Sequence, residues 1–205
     1  MQDLKLIKDV HEYQELALRT ESVVDQVVAD KAELLHVLAM YNTIGEMLDC
    51  LKKKIYYRNP DKYNLNFEKL SNDLKYFTTC ADRHHGERFE EVLEGVDPRV
   101  FHAIIGIATE AAELVNALQK NVAGHELDAV NVAEEWGDAC WYGDGILLDQ
   151  LGIDGMWVRT INIEKLRARY PDKYSDVSAE ARDLNVERDI LRRILENRKN
   201  GNENG

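Results

Sequence analysis

Two pairs of carboxylates are the residues of this chain best suited to chemistry. Glu110 and Glu113 stand three apart in FHAIIGIATEAAELVNALQ, its most apolar helical stretch. Residues at i and i+3 project from one helical face, so both carboxylates point the same way. The next helical stretch carries Glu134, Glu135 and Asp138, giving a second pair, Glu135-x-x-Asp138. A turn at 121–125, containing Gly124, separates the two stretches. If that turn reverses the chain, Glu110 and Glu135 lie equally far from the bend. Glu113 and Asp138 then fall within about 5 Å of that level, at ~1.5 Å rise per residue. Four carboxylates would meet across one seam. Such a cluster is costly, because like charges raise one another's pKa and desolvation adds to the penalty. Spacing alone leaves two solutions open: a solvated stripe, or a site for hard divalent cations. Mg²⁺ suits an all-oxygen donor set and keeps waters and substrate phosphates in its shell. A redox di-iron bundle is disfavoured, since it needs two Glu-x-x-His motifs and only Glu33-x-x-His36 occurs.

The elements that must position these residues are helices. Apolar periodicity predicts a first helix over 10–20, a longer one over 30–57, a polar loop over 58–66 and a third helix over 67–81. The carboxylate-bearing helices are expected over 99–119 and 126–151, the second closed by Gly152 as a C′ residue. A helix over 155–169 stops at Tyr170-Pro171, because proline cannot continue it. It carries Asn162, Lys165 and Arg169 on one face, a local cationic stripe or a solvated one. The last helix, 178–197, puts Ala181, Leu184, Leu191 and Leu195 on one face. Residues 199–205 form a frayed polar tail. No segment alternates with period two, so the expected fold is an all-α helical bundle.

Of 205 residues, 44% are apolar and 31% charged, which describes a globular chain rather than a disordered one. Twenty-six basic against thirty-eight acidic side chains leave a net charge of −12. That balance excludes a long-range basic field for nucleic acid or an anionic membrane. Cys50, Cys80 and Cys140 are odd in number and form no CxxC, which argues against a disulfide framework or thiolate zinc site. The longest nearly apolar run, 100–108, is far short of the ~18 residues a membrane span needs. The N-terminal stretch lacks the apolar core of a signal peptide. A cytoplasmic protein is expected.

An internal overlay also exists. Residues 34–53 lie over 101–120 without gaps, placing Glu46 on Glu113, Leu51 on Leu118, Lys53 on Lys120 and Thr43 on Glu110. A similar overlay puts Asp73 on Asp138 and Leu70 on Glu135. The expected organisation is a single all-α domain over 1–198, with 99–191 as the core carrying the acidic site. Residues 22–98 are then a helical extension or a degenerate duplicated half.

These motifs together resemble the MazG-type all-α NTP pyrophosphohydrolases, relatives of dimeric dUTPases and dCTPases. The resemblance rests on GIATEAAELVNAL, on EEWGDACWY and on INIEKLRARYP with Asn162, Lys165 and Tyr170-Pro171. HEYQELALRT and KYSDVSAEARDLNVERDIL are similar to the first helix and the tail of phage-encoded and bacterial members. The resemblance covers 99–191 well and 22–98 thinly. It implies cleavage of the α–β phosphoanhydride of a (deoxy)nucleoside triphosphate, giving the monophosphate and pyrophosphate. It implies Mg²⁺, with Mn²⁺ as a substitute, held by Glu110, Glu113, Glu135 and Asp138. Lys165, Asn162 and Arg169 would contact the triphosphate, and Tyr142 a sugar or phosphate oxygen unless it packs in the seam. Gln14, His102, Trp136 and Trp141 are base-pocket candidates. A homodimer or higher homo-oligomer is expected, in the host cytoplasm if the chain is phage-encoded. The rival reading is a non-catalytic helical module that senses nucleotides or binds a protein partner.

Overall fold

The computed structural model describes residues 6–56, 60–81, 90–171 and 183–197. These residues are mostly helical, as the periodicity predicts. They fall into two compact units, one formed by 1–25 with 96–205 and the other by 26–95.

In the first unit, α1 (Val10–Ala17) begins at Asp9, whose side chain accepts from the Glu12 N–H, and runs on into a 3₁₀ turn, Leu18–Thr20. The long helix α4 (Pro98–Val122) starts with proline in its first turn and Asp97 as N-cap, accepting from the Arg99 and Val100 N–H groups. Gly124 takes φ +96° after α4, a conformation that L side chains rarely adopt. The Ala123 and His125 N–H groups then return to the carbonyls of Gln119 and Lys120. This turn folds α5 (Ala129–Cys140) back onto α4, with Asp128 as its N-cap.

The single helix expected over 126–151 is three pieces. After α5 comes a π-helical segment, Trp141–Leu147, and then the short α6 (Leu148–Gln150). A π segment widens the helix and disturbs its regular bonding. Gln14 of α1 compensates, its Nε2 donating to the Asp144 carbonyl at 2.8 Å. Gly145 allows the approach of α1, because a Cβ there would stand 2.9 Å from that of Ala17. Gly152 closes the run at φ +65°, as expected.

Helix α7 (Gly155–Arg169) is capped by Asp154, ends before Pro171 as expected, and packs on α8 (Leu184–Arg192). The core of the unit centres on Ala103, Ile146 and Ile161, all fully shielded. Leu184 and Leu195 are exposed and Leu191 half-buried, while the buried residue of α8 is Glu187, held by Arg169. Ala181 lies outside the described residues.

The second unit is a hairpin of α2 (Lys31–Tyr56) and α3 (Pro60–Ala81). The loop expected over 58–66 is overturned from Pro60 onward. Proline is tolerated in a first helical turn, where its missing N–H is no loss, so Pro60 opens α3 rather than interrupting a loop. Two short strands, β1 (Val28–Asp30) and β2 (Glu90–Val92), pair antiparallel with Val28 opposite Val92. Three-residue strands are too short to show alternation, which is why periodicity did not reveal them.

Among the described residues, α4 alone is long and apolar enough to cross a membrane. The uninterrupted run 100–108 had not suggested this. The length and composition include Glu110 and Glu113 near the middle, where a charged group costs ~2.5–3.5 kcal/mol in hydrocarbon.

Candidate metal centre

The seam between α4 and α5 brings the predicted carboxylates together. One oxygen each from Glu110, Glu135 and Asp138 lie within 4.8 Å of one another. Glu113 hydrogen-bonds to Glu135 and joins the cluster from outside that tightest set. Burial grades across the seam: Glu135 is buried, Glu110 half-buried, Glu113 and Asp138 exposed. The seam is therefore an open acidic edge with one sheltered carboxylate at its floor.

Glu135 is the electrostatic pivot. Desolvation pushes its carboxyl above the ordinary 4.5, and the hydrogen bond and charge of Glu110 push it further. Hydrogen bonds with Glu113 and with Asn131, whose Nδ2 donates to Oε1, pull the other way. Two carboxyls in hydrogen-bond contact need a proton or a cation between them. The donor set is all oxygen and carboxylate-rich, which fits Mg²⁺ or Mn²⁺ better than a softer metal.

Close helix approach makes this seam possible, and a glycine makes the approach possible. A Cβ on Gly106 would stand 2.3 Å from the Tyr142 ring, so only glycine lets the ring lie against α4. Tyr142 also meets His102 and Trp141 edge-on, at 5.4 and 4.8 Å between centroids. It packs in the seam.

The remaining predicted residues divide sharply. Arg169 is withdrawn from the cationic stripe. Its Nε and guanidinium NH2 donate to both oxygens of the buried Glu187, at 2.7 and 2.5 Å. Lys165 is half-buried and makes no hydrogen bond or ion pair among the described residues, and Asn162 is exposed. Three of the four base-pocket candidates serve the scaffold. Gln14 is buried against Asp144. Trp141 donates from Nε1 to the Ala17 carbonyl at 3.1 Å and the Thr20 hydroxyl at 3.0 Å. His102 belongs to the aromatic cluster. Trp136, beside Glu135 in the chain, is 65% exposed and keeps its ring open for stacking.

Sequence reasoning missed Tyr13. Its hydroxyl donates to the Gly137 carbonyl at 3.4 Å, one residue from Asp138. Burial, followed by the charges of Cys140, Asp144 and Asp138, pushes the phenol up to about 12. It therefore stays neutral beside the acidic seam. Only its position next to Gln14 hinted at this.

Comparison with known proteins finds no matching family model, no matching curated protein and no matching solved structure.

Proposed function

We propose that the chain is a Mg²⁺-dependent nucleoside-triphosphate pyrophosphohydrolase of the MazG type. The observation that supports this most is the convergence of Glu110, Glu135 and Asp138 within 4.8 Å, with Glu113 bonded to Glu135. Solvated stripes keep like charges apart; this seam holds them together and buries one. Mg²⁺ bound there would neutralise phosphate charge and lower the pKa of a water. Glu110, Glu135 and Asp138 are its holders in this reading. Glu113, outside the tightest set, takes the proton of the attacking water. The new bond forms between that oxygen and the α-phosphorus, the α–β bridging bond breaks, and pyrophosphate leaves. Lys165 steadies the triphosphate and Trp136 offers a stacking face for the base. Arg169 has no part in binding.

The partner of the chain is a second copy of itself. Ile104, Val115, Leu118 and Val122 of α4 are exposed, and they recur at heptad-like spacing along one stripe. An isologous pairing would bury that stripe.

The test is substitution at the seam. Glu113→Ala and Asp138→Ala should each abolish pyrophosphate release, with far-UV circular dichroism unchanged. Near-full turnover by either variant overturns the assignment.

A further inference from the structure

We propose that α1 positions α7, and that Gln14 governs the binding of a phosphate chain through that placement rather than by touching a base. This deepens the reading of Lys165 as a triphosphate contact, on which it rests.

The π segment leaves one carbonyl over. Leu148 donates its N–H five residues back, to Gly143, whereas Leu151 donates four back, to Leu147, at 3.0 Å. Between these two bonds the amides of Asp149 and Gln150 face the carbonyls of Asp144, Gly145 and Ile146, one acceptor too many. A carbonyl passed over inside the protein needs a donor from elsewhere. Gln14, only 5% exposed on α1, supplies it, its Nε2 donating to the Asp144 carbonyl at 2.8 Å. A continuous α-helix would offer no such acceptor, so the bond belongs to the π register. Trp141 ties the other end of the segment to α1, its Nε1 donating to the Ala17 carbonyl at 3.1 Å.

Asp144 carries the link onward. Its carbonyl is taken by α1, and its carboxylate accepts from the Arg159 NH2 group of α7 at 2.5 Å. Arg159 also donates from NH1 to the Gly155 carbonyl at 2.9 Å. Gly155 is where the three elements meet. A Cβ there would stand 2.9 Å from Arg159 NH1, 3.1 Å from Val10 Cγ1 of α1 and 3.3 Å from Asp144 Oδ1. Beside it, His11 of α1 lies 3.2 Å from Asp154, whose side chain caps α7. Helix α1 thus braces the π segment and the start of α7 together, while the Arg169–Glu187 pair holds the far end of α7 against α8. A helix turns as a body. Fixing Arg159 therefore sets the direction of Asn162 and Lys165, the second about 9 Å further along the axis.

Calorimetry with Mg²⁺ and tripolyphosphate, a ligand that has no base, tests this on the full-length chain, with non-hydrolysable dNTPs alongside. Gln14→Met keeps the length of the side chain and loses its donor. It should weaken tripolyphosphate binding about tenfold, as small misplacements of a binding group do, and every dNTP by the same factor. Hydrogen exchange should quicken about tenfold at the amides of residues 141–150 and stay unchanged along α4, the mark of local rather than global opening. Arg159→Gln is the second variant. Arg159 is 48% exposed, so its loss breaks the link without opening the interior, and tripolyphosphate should weaken alike. Neither loss should add to that of Lys165→Ala, because all three act on one contact. Unchanged tripolyphosphate affinity with an altered preference among bases would make Gln14 a base contact and overturn the proposal. A loss that adds to that of Lys165→Ala, or exchange that quickens equally throughout the chain, overturns it too. A wild-type chain that takes up neither tripolyphosphate nor nucleotide overturns the phosphate reading of Lys165 and this inference with it. Binding is read here without turnover, so a failure of the enzyme reading shows separately, as pyrophosphate that is never released.

Discussion

Glu135 carries a pH dependence that follows from its surroundings. Its carboxyl titrates above the ordinary 4.5 in the folded chain, chiefly through burial and then through Glu110. The folded state thus binds a proton that the unfolded state has already released. The stabilisation is fully present below the unfolded pKa and is lost as pH rises through the folded one. Without metal, the melting temperature should fall as pH climbs above about 4.5 and through the raised folded value, and Mg²⁺ should reverse the fall by replacing the proton. Glu135→Gln should flatten both responses in a thermal melt. A melt indifferent to Mg²⁺ at neutral pH would sink the idea. Glu135 was legible in the sequence because i, i+3 spacing and a reversing turn sufficed to place it. Tyr13 was not, because nothing local says that a residue of α1 will reach the Gly137 carbonyl. Arg169 misled for the complementary reason. Its helix face was read correctly, but Glu187, eighteen residues away, claimed it.

Elements meet through a few residues that set their separation. Gly106 fixes how closely α4 and the start of the π segment approach, since a Cβ there would overlap the Tyr142 ring. Gly106→Ala should destabilise the chain by about 1–3 kcal/mol through overpacking and weaken Mn²⁺ binding by spreading the seam. In a Tyr142→Ala background the same change should become neutral or gain up to ~1 kcal/mol, as alanine is the better helix former. Equal costs in both backgrounds would refute the steric account. Arg99 is the second device. It binds Glu21 bidentately, at 2.7 and 2.8 Å, and reaches Asp149 and Gln150. It thereby ties the start of α4 to the segment after α1 and to the end of α6. Arg99→Ala should cost about 2 kcal/mol in denaturant melts, between an exposed pair and a fully buried one. The helices themselves were readable from apolar periodicity, capping aspartates and glycine stops. The π segment was not, because the Gln14 side chain that bonds to its Asp144 carbonyl comes from another helix. The start of α3 was misjudged because Asn59-Pro60-Asp61 reads equally well as a turn or as a helix entry.

At the scale of the molecule, apolar surface is left over. Ile104, Val115, Leu118 and Val122 are too regular a stripe to be scattered exposure. Light scattering should give a mass near twice 23.6 kDa, and Val115→Asp with Leu118→Asp should halve it. A wild-type monomer would leave the stripe without the second copy assigned to it. The all-α class followed from composition and period. Partner and substrate belong to surfaces and distances that no local pattern records. The account as a whole turns on the bond that is broken. Purified chain should be mixed with single NTPs and dNTPs, with and without Mg²⁺, and the products separated. The account predicts monophosphate and pyrophosphate in equal amounts, only with Mg²⁺. Orthophosphate with diphosphate, or tight nucleotide binding with no turnover across the whole panel, would contradict it.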